Sequence, residues 1–250
     1  MKEEILYGIN SAMEALRGKR RAFELFVSRD ASDRRMEKLL KLAAEKGVPV
    51  RNRDKRDISR LCGTDHHQGV ALKLEGFPYT GLSDIIDAWR ESGERGLILA
   101  LDGVQDPHNL GALIRSAACA GAHGVIIPKD RAARVTATVE KSAAGAAETI
   151  PVAQVTNLAQ ALDELKEAGF WIYGAADSAA SSLYDQDLSG NVVIVIGSEG
   201  EGVRPLVGKK CDFLVAIPLR GGVSSLNASV AGGVILFEVL RQRLAFSPQN

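Results

Sequence analysis

The second half of the chain alternates short apolar runs with segments in which apolar residues recur at helical spacing. The runs at 97–104, 124–128 and 192–197 are the clearest examples. Apolar strands separated by helices are typical of a parallel sheet that is covered on both faces. The pattern predicts further strands at 151–155, 170–176 and 213–217, and helices from about Asn109, at 133–145, at 157–168 and from Val234 to Arg243.

The final helix contains two adjacent glycines, Gly232 and Gly233. Each glycine weakens a helix by about 1 kcal/mol relative to alanine, so we expect another element to pack closely there. Ser224 or Ser225 is expected to cap the helix. The residues expected on its core-facing side are Leu226, Val230, Val234, Phe237 and Leu240.

The first 75 residues predict a small α/β unit. Strands are expected at 23–30, 48–54 and 69–77, with helices at 33–47 and 55–63. The turn-rich stretch "EGFPYTG" follows the last of these strands and precedes another helical segment. The predicted organisation is a domain at 1–75, a linker with a leading helix at 76–94 and a second domain at 95–250.

The composition fits a protein with a sizeable core, because 46% of the 250 residues are hydrophobic. No run approaches the roughly 18 apolar residues that span a bilayer, and "MKEEILYGIN" lacks the apolar stretch of a signal peptide. We therefore expect a soluble, cytoplasmic protein. The three cysteines lie far apart and the four histidines are not at ligand spacing, so we expect neither a disulfide nor a metal site.

The net charge of zero conceals an asymmetry along the chain. Residues 1–75 hold 17 Lys and Arg against 12 Asp and Glu, whereas residues 76–250 hold 14 against 19. A basic segment is the expected contact for a polyanion such as RNA, although a solvated surface would give the same count. The candidate RNA-binding residues are Arg17, Lys19, Arg20, Arg21, Arg51 and Arg53.

Three loops of the second domain carry unusual residues. Asn109 is a turn or N-cap type of residue at the start of one helix, and Arg115 lies off the predicted core-facing side of that helix. The two are close enough along the axis for the arginine to reach back toward the strand end. Glu199 lies among glycines in "IGSEGEGV", where a carboxylate has little packing role. The third loop is the small, polar stretch "RGGVSSLNAS" before the final helix. These loops follow the carboxyl ends of predicted strands, where parallel sheets bind ligands. The core-facing side of the first helix is predicted to contain Leu110, Leu113, Ile114 and Ala117.

Two other classes of protein share some of these features. A nicotinamide-dependent oxidoreductase would also have an α/β sheet, but it needs a glycine-rich turn after its first strand, where "LALDGVQDPHN" offers only Gly103. An RNA-binding protein without catalysis would account for the basic first unit. Binding of a small-molecule cofactor separates this second alternative from an enzyme.

The three loops together resemble a known enzyme family. "LDGVQDPHNLGALIRSA", "VIVIGSEGEGV" and "IPLRGGVSSLNASVAGGVILFE" are similar to the three motifs of SPOUT-class methyltransferases, in the TrmH/SpoU branch that methylates ribose 2′-hydroxyls of RNA. Within that branch the chain resembles the bacterial enzymes that act on guanosine of 23S rRNA. "YGINSAMEAL" and the basic unit resemble the branch's L30e-like RNA-binding domain. The resemblance implies a deep trefoil knot near the C-terminus, with the cofactor in the knotted loops.

The resemblance also implies roles for individual residues. S-adenosylmethionine is the implied cofactor. RNA is the implied substrate, with 23S rRNA expected and tRNA as the alternative. A second copy of the chain, bound through the knotted domain, is the other implied partner. Arg115 is implied either to remove the hydroxyl proton or to stabilise the developing alkoxide, and the permanent charge of guanidinium favours the second role. The implied catalytic residues are Asn109, Arg115, Glu199, Ser225 and Asn227, and the implied cofactor-binding residues are Gly197, Gly200, Ile217, Pro218, Ser225, Leu226 and Asn227.

Overall fold

The computed structural model describes residues 3–18, 20–28, 34–222 and 224–245. The chain forms two compact units, one of residues 1–78 with 135–141 and one of residues 79–134 with 142–250. The segment 135–141 thus packs with the first unit, although the sequence assigns it to the second domain. The domain limits of 1–75 and 95–250 remain a prediction.

The first unit is a small α/β fold. Its elements are β1 (Glu3–Tyr7), α1 (Ile9–Arg17), β2 (Ala22–Ser28), α2 (Arg34–Glu45), β3 (Val50–Arg53), α3 (Lys55–Cys62) and β4 (Val70–Glu75). The strands form a mixed sheet in the order β1-β4-β2-β3, in which β2 and β3 are parallel and β4 is antiparallel to β1 and β2. The sequence pattern does not predict β1, because this edge strand is short and begins with two glutamates.

The second unit is built on a larger sheet. Its elements are α4 (Leu82–Ser92), β5 (Leu97–Asp102), α5 (Pro107–Cys119), β6 (Gly124–Pro128), β7 (Val152–Val155), α7 (Leu158–Glu167), β8 (Trp171–Ala175), β9 (Ser181–Ser182), β10 (Val192–Gly197), α8 (Pro205–Gly208), β11 (Phe213–Ala216) and α9 (Ala228–Ala245), and helix α6 (Ala137–Ala143) begins in the segment that packs with the first unit.

All pairs of neighbouring strands in this sheet are parallel, which confirms the predicted architecture. The strand order is β7-β6-β5-β10-β8-β11-β9. Strands β6 and β7 extend the sheet on one side of β5, whereas β10 and the strands beyond it lie on the other side. The boundary between β5 and β10 is therefore a switch point, where open α/β sheets bind ligands. Asp102 and Gly197 lie side by side there, at the carboxyl ends of the two strands.

The core of the second unit lies on both faces of this sheet. Every residue of β5, β6 and β10 is buried. The predicted inner side of α5 is confirmed, because Leu110, Leu113, Ile114 and Ala117 are all fully buried. These contacts fix the start of α5, and hence Asn109, close to the end of β5.

The prediction for the buried side of α9 is wrong. Val230 and Phe237 are 50% and 48% exposed, whereas the buried side contains Gly232, Ile235 and Val239. The helix is apolar around most of its circumference, so periodicity could not select one side. A Cβ on Gly232 would overlap the Leu113 side chain, which confirms the expected close neighbour. No helix within the described ranges, α9 included, is long and apolar enough to cross a membrane.

Gly232→Ala and Gly233→Ala form a matched pair that tests this contact between α9 and α5. Both substitutions gain about 1 kcal/mol of helix propensity. At position 233 the nearest atom to an added Cβ is Ser116 Oγ at 3.7 Å, whereas at position 232 the Leu113 side chain must move. Overpacking costs about 1–3 kcal/mol, so Gly232→Ala should be less stable than Gly233→Ala by about that amount in chemical denaturation. Equal stabilities would mean that Leu113 moves aside freely.

Candidate active site

Three side chains form a closed hydrogen-bonded cluster beyond the ends of β5 and β10. The Asn227 amide donates to Glu199 (Nδ2 to Oε1, 2.9 Å) and to Asn109 (Nδ2 to Oδ1, 3.1 Å). The Asn109 amide also donates to Glu199 Oε1. Within the described residues no hydrogen bond reaches Glu199 Oε2, so one carboxylate oxygen is fixed and the other is available.

Asn227 also caps α9. Its side-chain oxygen accepts hydrogen bonds from the backbone of Ser229 (2.9 Å) and Val230 (3.3 Å). The predicted caps, Ser224 and Ser225, lie in the exposed loop that leads to Asn227. The prediction was wrong because several residues of this stretch are good caps, and the local sequence does not show where the helix begins.

The loop after β10 folds back tightly on the strand end. Ser198 and Gly202 exchange two backbone hydrogen bonds, of 3.2 and 2.9 Å. A Cβ on Gly197 would overlap the backbone of Gly202 and Val203. Glycine at position 197 is therefore required for the turn that carries Glu199 into the cluster.

Two cavities border this loop and share residues 198–201 as a common wall. One, which we call the C-terminal cavity, has a volume of about 530 Å³ and is lined by 175–178, 196–203, 224–226, Ala228 and Ala231. The described residues that line it include the carboxylates of Asp177, Glu199 and Glu201 and neither lysine nor arginine. A cationic ligand would therefore meet favourable charge there.

The second cavity, which we call the β5 cavity, has a volume of about 480 Å³. It is lined by 102–106, Asn109, Arg131, 198–201 and Arg204. The Asp102 side chain is 0% exposed and accepts from the Arg204 backbone (2.8 Å) and from Arg204 Nε (2.8 Å). The hydrogen bond from its side chain to Asp102 raises the pKa of the Arg204 guanidinium above its ordinary value. Arg204 is therefore a fixed, charged part of the wall.

Four of the residues implied to bind the cofactor line the C-terminal cavity, namely Gly197, Gly200, Ser225 and Leu226. Asn227 lies next to the cavity through its bond to Glu199. Ile217 and Pro218 belong to the stretch after β11 and are not among the residues that line it. The cofactor assignments remain predictions.

The structure does not bring Arg115 to the cluster. Arg115 is exposed on α5 and lines neither cavity. Residues six positions apart point about 120° away from each other around a helix, so Arg115 faces a different direction from the buried Asn109. No hydrogen bond or ion pair joins its guanidinium to another described residue. Its side chain is thus available to a partner.

Among the candidate RNA-binding residues that the structure describes, Arg20 has the most enclosed side chain. Its side chain is 10% exposed and forms ion pairs with Glu4 (2.9 Å) and Glu140 (3.1 Å), both within the first unit. In this position Arg20 neutralises two carboxylates and presents little charge to a ligand. Lys19 lies outside the described residues.

The other four candidates are exposed. Arg17 pairs with Glu14 at 3.3 Å and Arg51 pairs with Glu24 at 2.8 Å. Arg21 and Arg53 are exposed without an ion pair among the described residues. The edge strand β3, which carries Arg51 and Arg53, is exposed along its whole length.

Sequence reasoning missed the pair of Asp102 and Arg204. Asp102 is a charged residue at the end of an otherwise apolar strand, and this contrast is the signal that could have identified it. Arg204 could not be paired with it from the sequence, because the two residues are 102 positions apart. Asp177, which lines the C-terminal cavity, was also missed, since it follows β8 without any motif.

No group of three or more His, Cys, Asp or Glu is arranged to hold a metal ion in the described part of the chain. Burial raises the pKa of the Cys211 thiol to about 11, so this cysteine is protonated near neutral pH.

Comparison with known proteins gives a family for each part of the chain. Residues 96–237 match the SpoU rRNA Methylase family, and residues 5–80 match the RNA 2′-O ribose methyltransferase substrate-binding family. The match at residues 5–80 covers most of the first compact unit. The match at residues 96–237 covers the strands and loops that form the candidate site.

Curated and solved relatives extend over nearly the whole chain. The 23S rRNA (guanosine-2′-O-)-methyltransferase RlmB of Ralstonia nicotianae is 46% identical and covers 97% of each chain. The putative TrmH family tRNA/rRNA methyltransferase YacO of Bacillus subtilis is 39% identical over 97% of each. The SpoU methyltransferase AviRb of Streptomyces viridochromogenes, solved with AdoMet, aligns with a TM-score of 0.63 and 26% identity over 97% of this chain and 91% of its own. The chain belongs to the SpoU rRNA methylase family.

Proposed function

We propose that this protein transfers a methyl group from S-adenosylmethionine to the ribose 2′-hydroxyl of a guanosine in 23S rRNA. The observation that carries the proposal is the Asn109–Glu199–Asn227 cluster, which lies where a carboxylate-lined cavity meets a second cavity. The substrate is the one named for the Ralstonia relative. Bacterial ribosomal RNA is modified in the cytoplasm, where this enzyme would act.

The C-terminal cavity fits the cofactor in charge and in shape. S-adenosylmethionine carries a sulfonium, an ammonium and a carboxylate group, so its net charge is positive. This charge suits a cavity that contains the carboxylate of Asp177 and no basic residue among the described residues that line it. Small lining residues such as Ala175 and Ala228 leave room for the adenosine, and the volume of about 530 Å³ is in the range of small-molecule sites. When bound, the cofactor supplies a methyl group on a good leaving group.

The residues of the cluster orient the reaction. Asn109 and Asn227 hold Glu199 Oε1, so the free Oε2 can accept a hydrogen bond from the incoming 2′-hydroxyl and align its oxygen. Orientation of this kind lowers the barrier without any change in the intrinsic reactivity of the groups. The bond from oxygen to the methyl carbon would form as the sulfur–methyl bond breaks, so the products would be the 2′-O-methylated ribose and S-adenosylhomocysteine, with the hydroxyl proton released to water. A nearby positive charge makes this release easier by stabilising the alkoxide that develops.

Arg115 can supply that charge if the enzyme is a homodimer. It is exposed on α5, and α9, which packs against α5, exposes the apolar side chains of Val230 and Phe237. A second copy bound to this surface would cover the apolar side chains, and the two-fold symmetry of a dimer would place two arginines in equivalent positions. We infer that Arg115 of each copy completes the site of the other.

RNA binding is assigned to the exposed arginines of the first unit. Arg51 and Arg53 lie on the edge strand β3, and Arg56 is exposed on α3, which follows directly. Phosphate contacts from such side chains fix the position of an RNA without reading its sequence. Arg20 is left out of this surface because its side chain is only 10% exposed between Glu4 and Glu140, whereas Arg51 is exposed although it pairs with Glu24.

Incubation of the purified protein with S-adenosylmethionine and either 23S rRNA or tRNA tests the proposed reaction. Mass spectrometry of the digested RNA should show 2′-O-methylguanosine in the ribosomal RNA, and the Glu199→Gln variant should form much less. Methylation of tRNA alone would replace the proposed substrate while keeping the reaction. Absence of any ribose methylation in both RNAs would contradict the proposal.

Complementation between two inactive variants tests the shared site. Arg115→Ala and Glu199→Gln should each lose most of their turnover, with the affinity of Arg115→Ala for S-adenosylmethionine unchanged. Mixed and allowed to exchange subunits, they should regain up to about a quarter of the wild-type rate, because a mixed two-fold dimer has one intact site. A mixture as inactive as its components would mean that Arg115 acts within its own chain, and a monomer in light scattering would exclude the dimer.

The salt dependence of RNA binding tests the basic surface. Replacement of Arg51, Arg53 and Arg56 together by glutamine should flatten the plot of log affinity against log salt by about 0.7 for each RNA phosphate that is no longer neutralised. Arg90→Gln is the control, since Arg90 is an exposed arginine that lies on α4, outside β3 and α3, and it should leave the slope unchanged. A triple variant with the wild-type slope would show that β3 and α3 do not contact RNA.

A further inference from the structure

We propose that the β5 cavity holds the guanine base of the target nucleotide, and that Arg131 and Glu201 read the two edges of that base. This inference rests on the proposed function and adds to it the residues that select guanosine.

The location of the β5 cavity suits the base of the reacting nucleotide. Asn109 and Glu199 line the cavity and also belong to the cluster that orients the ribose hydroxyl. Residues 198–201 separate its lining from the rest of the C-terminal cavity. A nucleotide whose ribose lies at the cluster could therefore place its base in the β5 cavity while the cofactor occupies the other one. The volume of about 480 Å³ is ample for a purine base.

Of the two arginines in this cavity, Arg131 is the one available to a ligand. Arg204 is held by the buried Asp102 through its backbone and its guanidinium. Arg131 is exposed, and within the described part of the chain its side chain makes no hydrogen bond or ion pair. Arginine binds O6 and N7 of guanine with two parallel hydrogen bonds, the commonest specific contact to that base.

The backbone at Arg131 is held in an unusual conformation. Its φ is 56°, in the left-handed region that non-glycine residues seldom adopt. The backbone hydrogen bond from Ala133 to the Val104 oxygen, 2.8 Å long, fastens this turn to the end of β5. Strain of this kind persists where surrounding structure imposes it, and it is frequent at ligand sites.

The carboxylates of the cavity favour a neutral base over a phosphate. Asp106, Glu199 and Glu201 line the cavity beside one uncommitted arginine, so a phosphate group would be repelled. Guanine is uncharged and presents the donors N1–H and N2–H₂ on its Watson–Crick edge. Glu201 is exposed, and no described residue donates a hydrogen bond to its carboxylate. Adenine would instead turn its amino group toward Arg131, and a pyrimidine has no N7.

Substitution of single atoms in the target base tests both contacts. RNA fragments that differ only in the target nucleotide carry guanosine, inosine, which lacks the N2 amino group, or 7-deazaguanosine, which lacks N7. The wild-type enzyme should show kcat/KM lower by roughly 10-fold or more for either analogue. Arg131→Ala should lower kcat/KM for guanosine and lose its sensitivity to 7-deazaguanosine, and Glu201→Ala should lose its sensitivity to inosine.

Arg134→Ala is the matched control, because Arg134 is an exposed arginine three positions away that does not line the cavity. It should retain the wild-type preference among the three RNAs. If Arg131→Ala lowered kcat/KM equally for all three RNAs, Arg131 would contact phosphate and the inference would be overturned. It would also be overturned if Arg131→Ala discriminated between guanosine and 7-deazaguanosine as strongly as the wild-type enzyme does. Failure of the proposed function would appear earlier, as a lack of guanosine methylation by the wild-type enzyme.

Discussion

The parallel pairing of β5 with β10 is the interaction on which the candidate site depends. Asp102 and Gly197 lie opposite each other, so the loops after both strands begin at the same level of the sheet. Asn109 follows one strand and Glu199 follows the other, which makes their contact a consequence of the register. Both strands are buried along their whole length. A shift of one residue would place every side chain against different neighbours on both closely packed faces, so the core itself fixes the alignment of the site.

The sequence predicted the sheet and α5 well. Fully apolar strands are stable only inside a covered sheet, and a helix with a single apolar stripe can bury only that side. Leu113 and Ile114 could only face the core, since the opposite side of α5 carries His108 and Arg115. Helix α9 is different. Its apolar residues surround the helix, and the choice of buried side was made by Gly232, whose lack of a side chain admits Leu113. That choice depends on the shape of Leu113, which belongs to another part of the chain. The periodicity of α9 carries no information about this neighbour.

The site was predicted in part. The family motifs name Asn109, Glu199 and Asn227, and the structure brings these three together. Asp102 and Arg204 lie outside what local patterns can show, because their contact depends on the packing of two distant segments. Counts of charge have the same limit. A count of charges gives Arg20 the same weight as the neighbouring basic residues, although Glu4 and Glu140 enclose it in the fold. Which residue a charge pairs with depends on the fold and cannot be read from such a count.

Asn227 connects the stability of α9 to the chemistry of the site. One end of its amide caps the helix and the other end holds Glu199. Helix ends fray on a free-energy scale far below that of global unfolding. Each time the first turn of α9 opens, the cluster loses one of the two amides that fix the carboxylate. The carboxylate can thus lose part of its support while the sheet stays intact, and the free energy of opening a single helical turn sets the fraction of molecules in which the cluster is complete.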